Sequence, residues 1–241
     1  MKSMLKSGLR MLGYQISRHV DPVEELPAAY RALKHVCSSD SGATIFDVGA
    51  HHGETEKLLR GLLPAAAIHC FEPFPSSFEV LQTKISSKSR AYNFGFADTA
   101  GSKSFQSNVW DGTNSLLPFE ASAPTNWGRG ELRSECQIEC RFETVDQFMH
   151  AHAVDKIDLL KLDTHGSEYL VLEGARDALA SQSIKNVFIE IITVPTYAGQ
   201  KQLAYYADYF ERSGFRLYGL YDNWHNASGE LLQLDALFTL R

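Results

Sequence analysis

The sequence predicts an α/β fold built around a parallel sheet. Short apolar runs alternate with segments of helical periodicity, the order that βαβ units require. The first run, "TIFDVG", passes into a turn with two glycines and then a helical pattern. The 241 residues fit one large domain or one domain with an appendage, and no repeat or low-complexity tract divides them.

Residues 1–20, "MKSMLKSGLRMLGYQISRHV", mix basic and apolar positions and read as an amphipathic helix. The segment is too polar to span a bilayer. It suits either weak contact with a membrane surface or packing on the domain. Gly8 and Gly13 weaken a free-standing helix, which favours packing. A second helix is expected over 21–37, with Tyr30, Leu33 and Val36 near helical spacing. Residues 1–40 therefore form an N-terminal helical extension, and 41–241 the main domain.

Within that domain "ATIFDVG" is a buried strand, and "GETEKLLRGLLP" a helix stopped by Gly61 and Pro64. "AAIHCFEP" is a second strand. "PSSFEVLQTKISS" is a helix in which Ser76 and Glu79 have capping-box spacing. "RAYNFGFAD" reads as a third strand, and "TAGSKSFQSN" as a hairpin turning near Ala100 and Gly101. Residues 109–134 show weak periodicity but contain Trp110 and Trp127, so they read as an irregular lid insertion rather than disorder. "TVDQFMHAH" is a helix with a second capping box, Thr144 and Gln147. "KIDLLKLD" is a strand, "SEYLVLEGARDAL" a helix, "IKNVFIEII" a strand, and 201–213 a helix. "FRLYGLY" and "LDALFTLR" flank "DNWHNASGE" and pair antiparallel.

A formal net charge of -6 argues against a general nucleic-acid binder, which needs a basic surface. Cys37, Cys70, Cys136 and Cys140 follow no signal peptide, so reduced thiols are expected, with a location in the cytoplasm or, through the first helix, at the membrane periphery. Cys136 and Cys140 share a strand face but stand too far apart for an easy disulfide. No second ligand pair of zinc spacing accompanies them.

The glycine turn sits where open parallel sheets bind ligands, beyond the carboxyl ends of the strands. Asp47, Gly49 and Gly53 occupy the end of the first strand, and Glu72 ends the second. Glycine lets backbone approach a ligand closely, and a carboxylate accepts from both ribose hydroxyls. That combination points to a nucleoside. A pyrophosphate is disfavoured, because Glu54 and Glu56 open the helix and the G-x-G-x-x-G spacing is missing. A cationic sulfonium cofactor, S-adenosylmethionine, fits better, with Glu72 on adenosine and Asp47 on the ammonium.

In order along the chain, "FDVGAHHGE", "CFEPFPSSFEVLQ", "NFGFAD", "IDLLKLDTHGSEYLVLEGA", "IEI" followed by "YAGQ", and "LLQLDALF" make the sequence resemble the FkbM-family methyltransferases. These are a branch of the S-adenosylmethionine-dependent Rossmann-like enzymes. The resemblance covers residues 44–241, apart from 109–134. It implies a class I methyltransferase fold, with a seven-stranded, mostly parallel sheet and an antiparallel C-terminal hairpin. It also implies O-methyl transfer to a hydroxyl of a sugar, glycan or secondary metabolite. Asp47, Gly49, Ala50, His51 and Gly53 fall on the family's cofactor loop. Glu72 matches the ribose acid, Pro73 and Phe74 the turn after it, and Ala97 and Asp98 the segment near adenine. Asp163, Gly166 and Glu168 match the signature after the fourth strand. Two positions depart from the pattern: His51 stands where asparagine is usual, and His165 replaces a common glutamate or glutamine.

Methyl transfer to oxygen needs an aligned acceptor and a base for its proton. Alignment contributes up to about 7–11 kcal/mol, and a positioned base roughly 100- to 10,000-fold. In "LDTHGSE", His165 is the candidate base and Asp163 orients the site; the bland alternative is that Asp163 and Glu168 cap a helix. Glu190 faces the acceptor, a divalent metal such as Mg²⁺, or neither, and no closed ligand set is evident. His51 and His52 read as loop residues touching cofactor or acceptor, since neighbours do not readily share one compact metal site. Trp110, Asn114 and Trp127 are candidates for a sugar-binding lid. Two other classes stay open: a noncatalytic or membrane-peripheral protein that keeps the fold, and a nicotinamide-dependent oxidoreductase, which the missing third glycine disfavours.

Overall fold

The computed structural model describes residues 27–37, 42–130 and 132–241. The helix expected over 1–20 lies outside them, and the next is seen as α1, Ala28–Cys37. A seven-stranded sheet follows. Its strands are β1 (Thr44–Val48), β2 (Ala67–Phe71), β3 (Arg90–Tyr92), β7 (Leu159–Leu162), β8 (Asn186–Ile192), β9 (Phe215–His225) and β10 (Leu231–Leu240). Their order is β3-β2-β1-β7-β8-β10-β9. The first five run parallel, and β10 is antiparallel to both β8 and β9. The expected seven-stranded, mostly parallel sheet and antiparallel C-terminal hairpin are therefore present. The strand order jumps from β1 to β7, which places the switch point between them.

Both faces of the sheet are covered, which is why β1, β7 and β8 are buried along nearly their whole length rather than at alternate residues. On one face Ile45, Ile68, Leu159 and Phe188 pack against Leu33 of α1, Leu59 of α2 (Glu54–Leu62) and Leu81 of α3 (Pro75–Lys84). On the other, Phe46, Phe71, Leu160 and Ile189 meet four more helices. These are α5 (Val145–Ala151), α6 (Glu168–Glu173), α7 (Arg176–Ala180) and α8 (Leu203–Arg212), which contribute Phe148, Leu172, Leu179 and Phe210. Phe46 and Phe71 form an aromatic cluster with Phe96 and Phe148, with ring centroids 4.4–6.2 Å apart.

Four local expectations are corrected. "RAYNFGFAD" is not one strand: it breaks after Tyr92, where Asn93 donates to the carbonyls of Glu72 and Pro73. Its second half is β4, Gly95–Phe96, in a separate three-stranded sheet. "TAGSKSFQSN" is not a hairpin, because β4 and β5 (Gly101–Asn108) do not pair with each other. Both pair with β6 (Ser134–Glu143), β4 parallel and β5 antiparallel. Ser76 caps nothing, since Pro75 starts α3 and Phe74 is its N-cap without a side-chain bond. "SEYLVLEGARDAL" is two helices, because the Asp146 carboxylate accepts from the Asp177 and Ala178 N–H groups and so starts α7 afresh. At the other proposed box, Thr144 Oγ1 does accept from the Gln147 N–H at 3.1 Å.

Residues 109–134 contain a 3₁₀ turn, Asp111–Thr113, and a short helix α4, Ala123–Trp127. They are tied to the loop after β8 by the bridge Phe119–Tyr197 and by Trp127 Nε1 donating to Thr196 Oγ1 at 2.8 Å. The four cysteines are free thiols: Cys136 is exposed and the other three are buried. Among the described residues no helix is long and apolar enough to cross a membrane.

Candidate active site

The turn after β1 folds back because Gly49 and Ala50 donate to the Phe71 carbonyl at 3.0 and 3.1 Å. Gly49 has φ +77°, and a Cβ there would lie 1.9 Å from the Asp163 carbonyl oxygen. Only glycine fits that left-handed, crowded position. At the end of β2 the Glu72 carboxylate is fixed by two backbone donors. Oε2 accepts from His51 and Oε1 from Phe74, each at 2.9 Å. Burial raises its carboxyl, against the lowering pull of those two N–H groups. A carboxylate has about four acceptor sites, so two remain for a ligand.

These elements wall a cavity of about 310 Å³, closed on other sides by Pro73, Phe96, Phe105 and Phe142. Gly49, Ala50, His51, Glu72, Pro73, Asp163 and His165 all line it, as does Asn114 from the insertion. A smaller cavity of about 140 Å³ is walled by Trp127, Arg129, Glu190, Tyr197, Trp224 and Gln233. Trp110 and His165 belong to both, so His165 stands at the junction.

His165 is held there by its backbone as much as by its side chain. It has φ +53°, and its carbonyl accepts from Ser115 Oγ at 2.8 Å. Glu168 shapes the turn: its Oε1 accepts from the Thr164 and Gly166 N–H groups. His165 Nδ1 lies 3.2 Å from Asp163 Oδ1 and 4.0 Å from Glu190 Oε2. Burial opposes an imidazolium, but the Asp163 hydrogen bond and the Glu190 charge outweigh it and lift His165 to about 9. Burial also favours the neutral Asp163 carboxyl, yet Lys161 and His165 hold it well below the usual range. Glu190 is pushed up, first by burial and then by Asp163.

Lys161 is the charged residue that sequence reasoning passed over. Its Nζ lies 3.1 Å from Asp163 Oδ2 and 3.3 Å from Asp47 Oδ1, and it lines the larger cavity. Burial disfavours its charge, but Asp163 and Asp47 keep it firmly protonated. The signal was a lysine inside the buried run "LLKLD", which needs a partner.

Several expected site residues sit elsewhere. Asp47 is fully buried, level with Lys161 in the sheet register, and lines neither cavity. It meets that lysine rather than presenting itself to a ligand's ammonium. Gly53 is the N-cap of α2. Phe74 contributes its N–H to Glu72 while its ring packs towards Phe105. Ala97 is buried in a small apolar cluster, and Asp98 pairs with Lys103 at the surface. As a metal set, Asp163, His165 and Glu190 offer one imidazole and two carboxylates with an ammonium already beside them. That is not the oxygen-rich cage Mg²⁺ favours.

Residues 47–217 match a family model described as the methyltransferase FkbM domain. The chain is similar to the 2-O-methyltransferase NoeI of Sinorhizobium fredii, 22% identical over 169 residues, covering 66% of this chain and 67% of that one. Among solved structures it is similar to an rRNA methylase from Streptococcus thermophilus, with TM-score 0.50 and 11% identity, covering 95% of this chain and 100% of the other. The last likeness is one of fold alone.

Proposed function

The chain belongs to the FkbM methyltransferase family, and on that premise we propose that it transfers a methyl group from S-adenosylmethionine to a hydroxyl of a small-molecule or carbohydrate acceptor. The observation that carries this reading is the position of His165, which lines both a nucleoside-sized cavity and an aromatic-walled one and lies 3.2 Å from the Asp163 carboxylate. The similarity to a 2-O-methyltransferase supports oxygen as the methyl acceptor.

The residues present fit the cofactor. Glu72 has carboxylate lone pairs to spare for ribose hydroxyls, and Gly49 and Ala50 let the group approach the backbone closely. When bound, S-adenosylmethionine supplies a methyl carbon activated by a positive sulfur. The chain's own work is alignment and proton removal. Trp127, Tyr197 and Trp224 offer faces for a sugar ring, and Gln233, Arg129 and Glu190 offer polar atoms for its hydroxyls. Neutral His165 takes the acceptor proton as the new O–C bond forms. Asp163 holds the ring, and its negative charge stabilises the imidazolium left behind. Lys161 keeps Asp163 ionised for that task. Residues 109–134 act as the lid, contributing Trp110 and Asn114 to the larger cavity and Trp127 to the smaller.

Calorimetric titration of the full chain with S-adenosylmethionine, with NAD in parallel, tests the cofactor. Saturable binding of the first alone is expected, weakened at least tenfold in Glu72→Ala, because two ligand hydrogen bonds to a charged acceptor are lost, about 1.5–3 kcal/mol each. Preference for NAD, or unchanged affinity in Glu72→Ala, overturns the reading.

A further inference from the structure

The chain has three tryptophans, Trp110, Trp127 and Trp224, and all three line the smaller cavity. They come from separate elements: the 3₁₀ turn after β5, the short helix α4 and the edge strand β9. Trp127 is the inner one, half-buried and held by its Nε1 bond to Thr196. Trp110 and Trp224 are 48% and 52% exposed, more than any other large apolar side chain among the described residues. Lining the cavity while half open to solvent puts them at its mouth.

Single exposed apolar residues are ordinary on a protein surface. Two indoles on one rim, carried by a turn and a paired strand, are a built feature. The Arg129 guanidinium lies 5.7 Å from the centre of the Trp110 ring. The same ring packs on Gly112, where a Cβ would come within 3.2 Å of it. Trp224 lies opposite Gln233 in the β9–β10 pairing, and Gln233 Nε2 donates to Glu190 Oε1 in the cavity wall at 3.1 Å.

The cavity behind this rim is small. At about 140 Å³ it falls below the roughly 300–1,000 Å³ of pockets that enclose a whole small-molecule ligand. It therefore covers only part of an acceptor, and the rest lies across the mouth. Aromatic faces there are interleaved with the polar groups of Arg129, Glu190, Thr196 and Gln233. A sugar ring has both characters: C–H groups on its faces for an indole to cover, and hydroxyls around its edge for the polar groups. A purely apolar acceptor would cover Arg129 and Glu190 without giving them hydrogen bonds.

We propose that the acceptor is the terminal residue of an oligosaccharide: its last ring enters the smaller cavity beside His165, and the next ring stacks on Trp110 and Trp224 at the mouth. The inference rests on the smaller cavity being the acceptor site, and it adds a second sugar-binding position to it. Covering an indole face removes apolar surface from water, a gain open only to a ligand with a second ring. Chain length, and not the terminal sugar alone, is therefore selected.

The test measures binding without cofactor, so that its outcome is separate from that of the S-adenosylmethionine titration. The labelled full chain is applied to an array of immobilised mono- and oligosaccharides. Each oligosaccharide that binds, and the monosaccharide of its terminal residue, is then titrated in solution against tryptophan emission. All three indoles line this cavity, so emission changes when it fills. The oligosaccharide should shift the emission and bind at least tenfold more tightly than the monosaccharide. Trp224→Ala should bring the two affinities together, and Trp224→Phe, which keeps an aromatic face, should restore part of the difference. Trp110→Ala should narrow it too, and decides if Trp224→Ala fails to fold. The proposal is overturned if no saccharide on the array binds, if both lengths bind equally, if a bound oligosaccharide leaves the emission unmoved, or if the preference survives both alanine variants. Saturable S-adenosylmethionine binding beside any of those results leaves methyl transfer standing and removes only the oligosaccharide. The length preference without affinity for S-adenosylmethionine would instead withdraw methyl transfer and keep the binding surface.

Discussion

The larger cavity is walled by the edge of the sheet itself, whereas the smaller is walled by side chains drawn from residues 110 to 233. In the first, Gly49 and Glu72 are each held by backbone groups of the neighbouring strand or turn. In the second, position depends on cross-links between loops: Trp127 to Thr196, Ser115 to His165, and Tyr197 to Thr113. Backbone-built sites tolerate almost no change in chain geometry. Side-chain-built sites can be altered residue by residue while the sheet stands. That difference fits one cavity holding a common group and the other selecting an acceptor.

The most severe way to break the comparison is Gly49→Ala. The new Cβ meets the Asp163 carbonyl at 1.9 Å in a left-handed backbone, so β1 and β7 must part at the switch point. Overpacking of this kind costs about 1–3 kcal/mol, and the positive φ adds about 1 kcal/mol or more. Urea denaturation should show that loss, and S-adenosylmethionine titration should show no saturable binding. A stable variant with parental affinity would mean that the turn is not the rigid element described here.

His165→Ala probes the junction between the two regions. Turnover should fall about 100- to 10,000-fold while the cofactor still binds, since the side chain works on the acceptor proton. The pH dependence sharpens this. With its pKa lifted to about 9, His165 is an imidazolium below that value and a free base above it. The parental kcat/KM should therefore rise with pH and level at about 9, and the variant should lack that limb. Near-parental turnover in His165→Ala, or a parental profile flat up to that pH, removes His165 as the base.

What could be read from the sequence follows the same division. β1, the glycine turn and Glu72 lie within one βαβ unit, so spacing alone placed them together. The partners of β4 and β5 could not be read that way. Gly95–Phe96 is two residues long, and both strands pair with β6 rather than with each other. Asp47 misled because strand-end position was read without register. It is level with Lys161, two residues deeper than Asp163, and so meets a buried lysine before it meets a cavity. "YAGQ" was read as a motif without a task. In the fold Gln200 accepts from Thr196 and Tyr197 and donates to the Ile192 and Val194 carbonyls, shaping the loop that presents Tyr197.

That loop supplies the mildest test. Tyr197 Oη donates to the Thr113 carbonyl at 2.8 Å, joining the wall of the smaller cavity to the insertion. Tyr197→Phe keeps the ring and its stacking on Phe119 but leaves the Thr113 carbonyl without that donor. A neutral bond of this kind contributes about 0.5–1.5 kcal/mol, so the KM for the acceptor should rise roughly two- to tenfold. Cofactor affinity should not change, because Tyr197 lines only the smaller cavity. An equal loss in both constants would show that the insertion couples the two cavities, and the division between a backbone-built and a side-chain-built region would have to be given up.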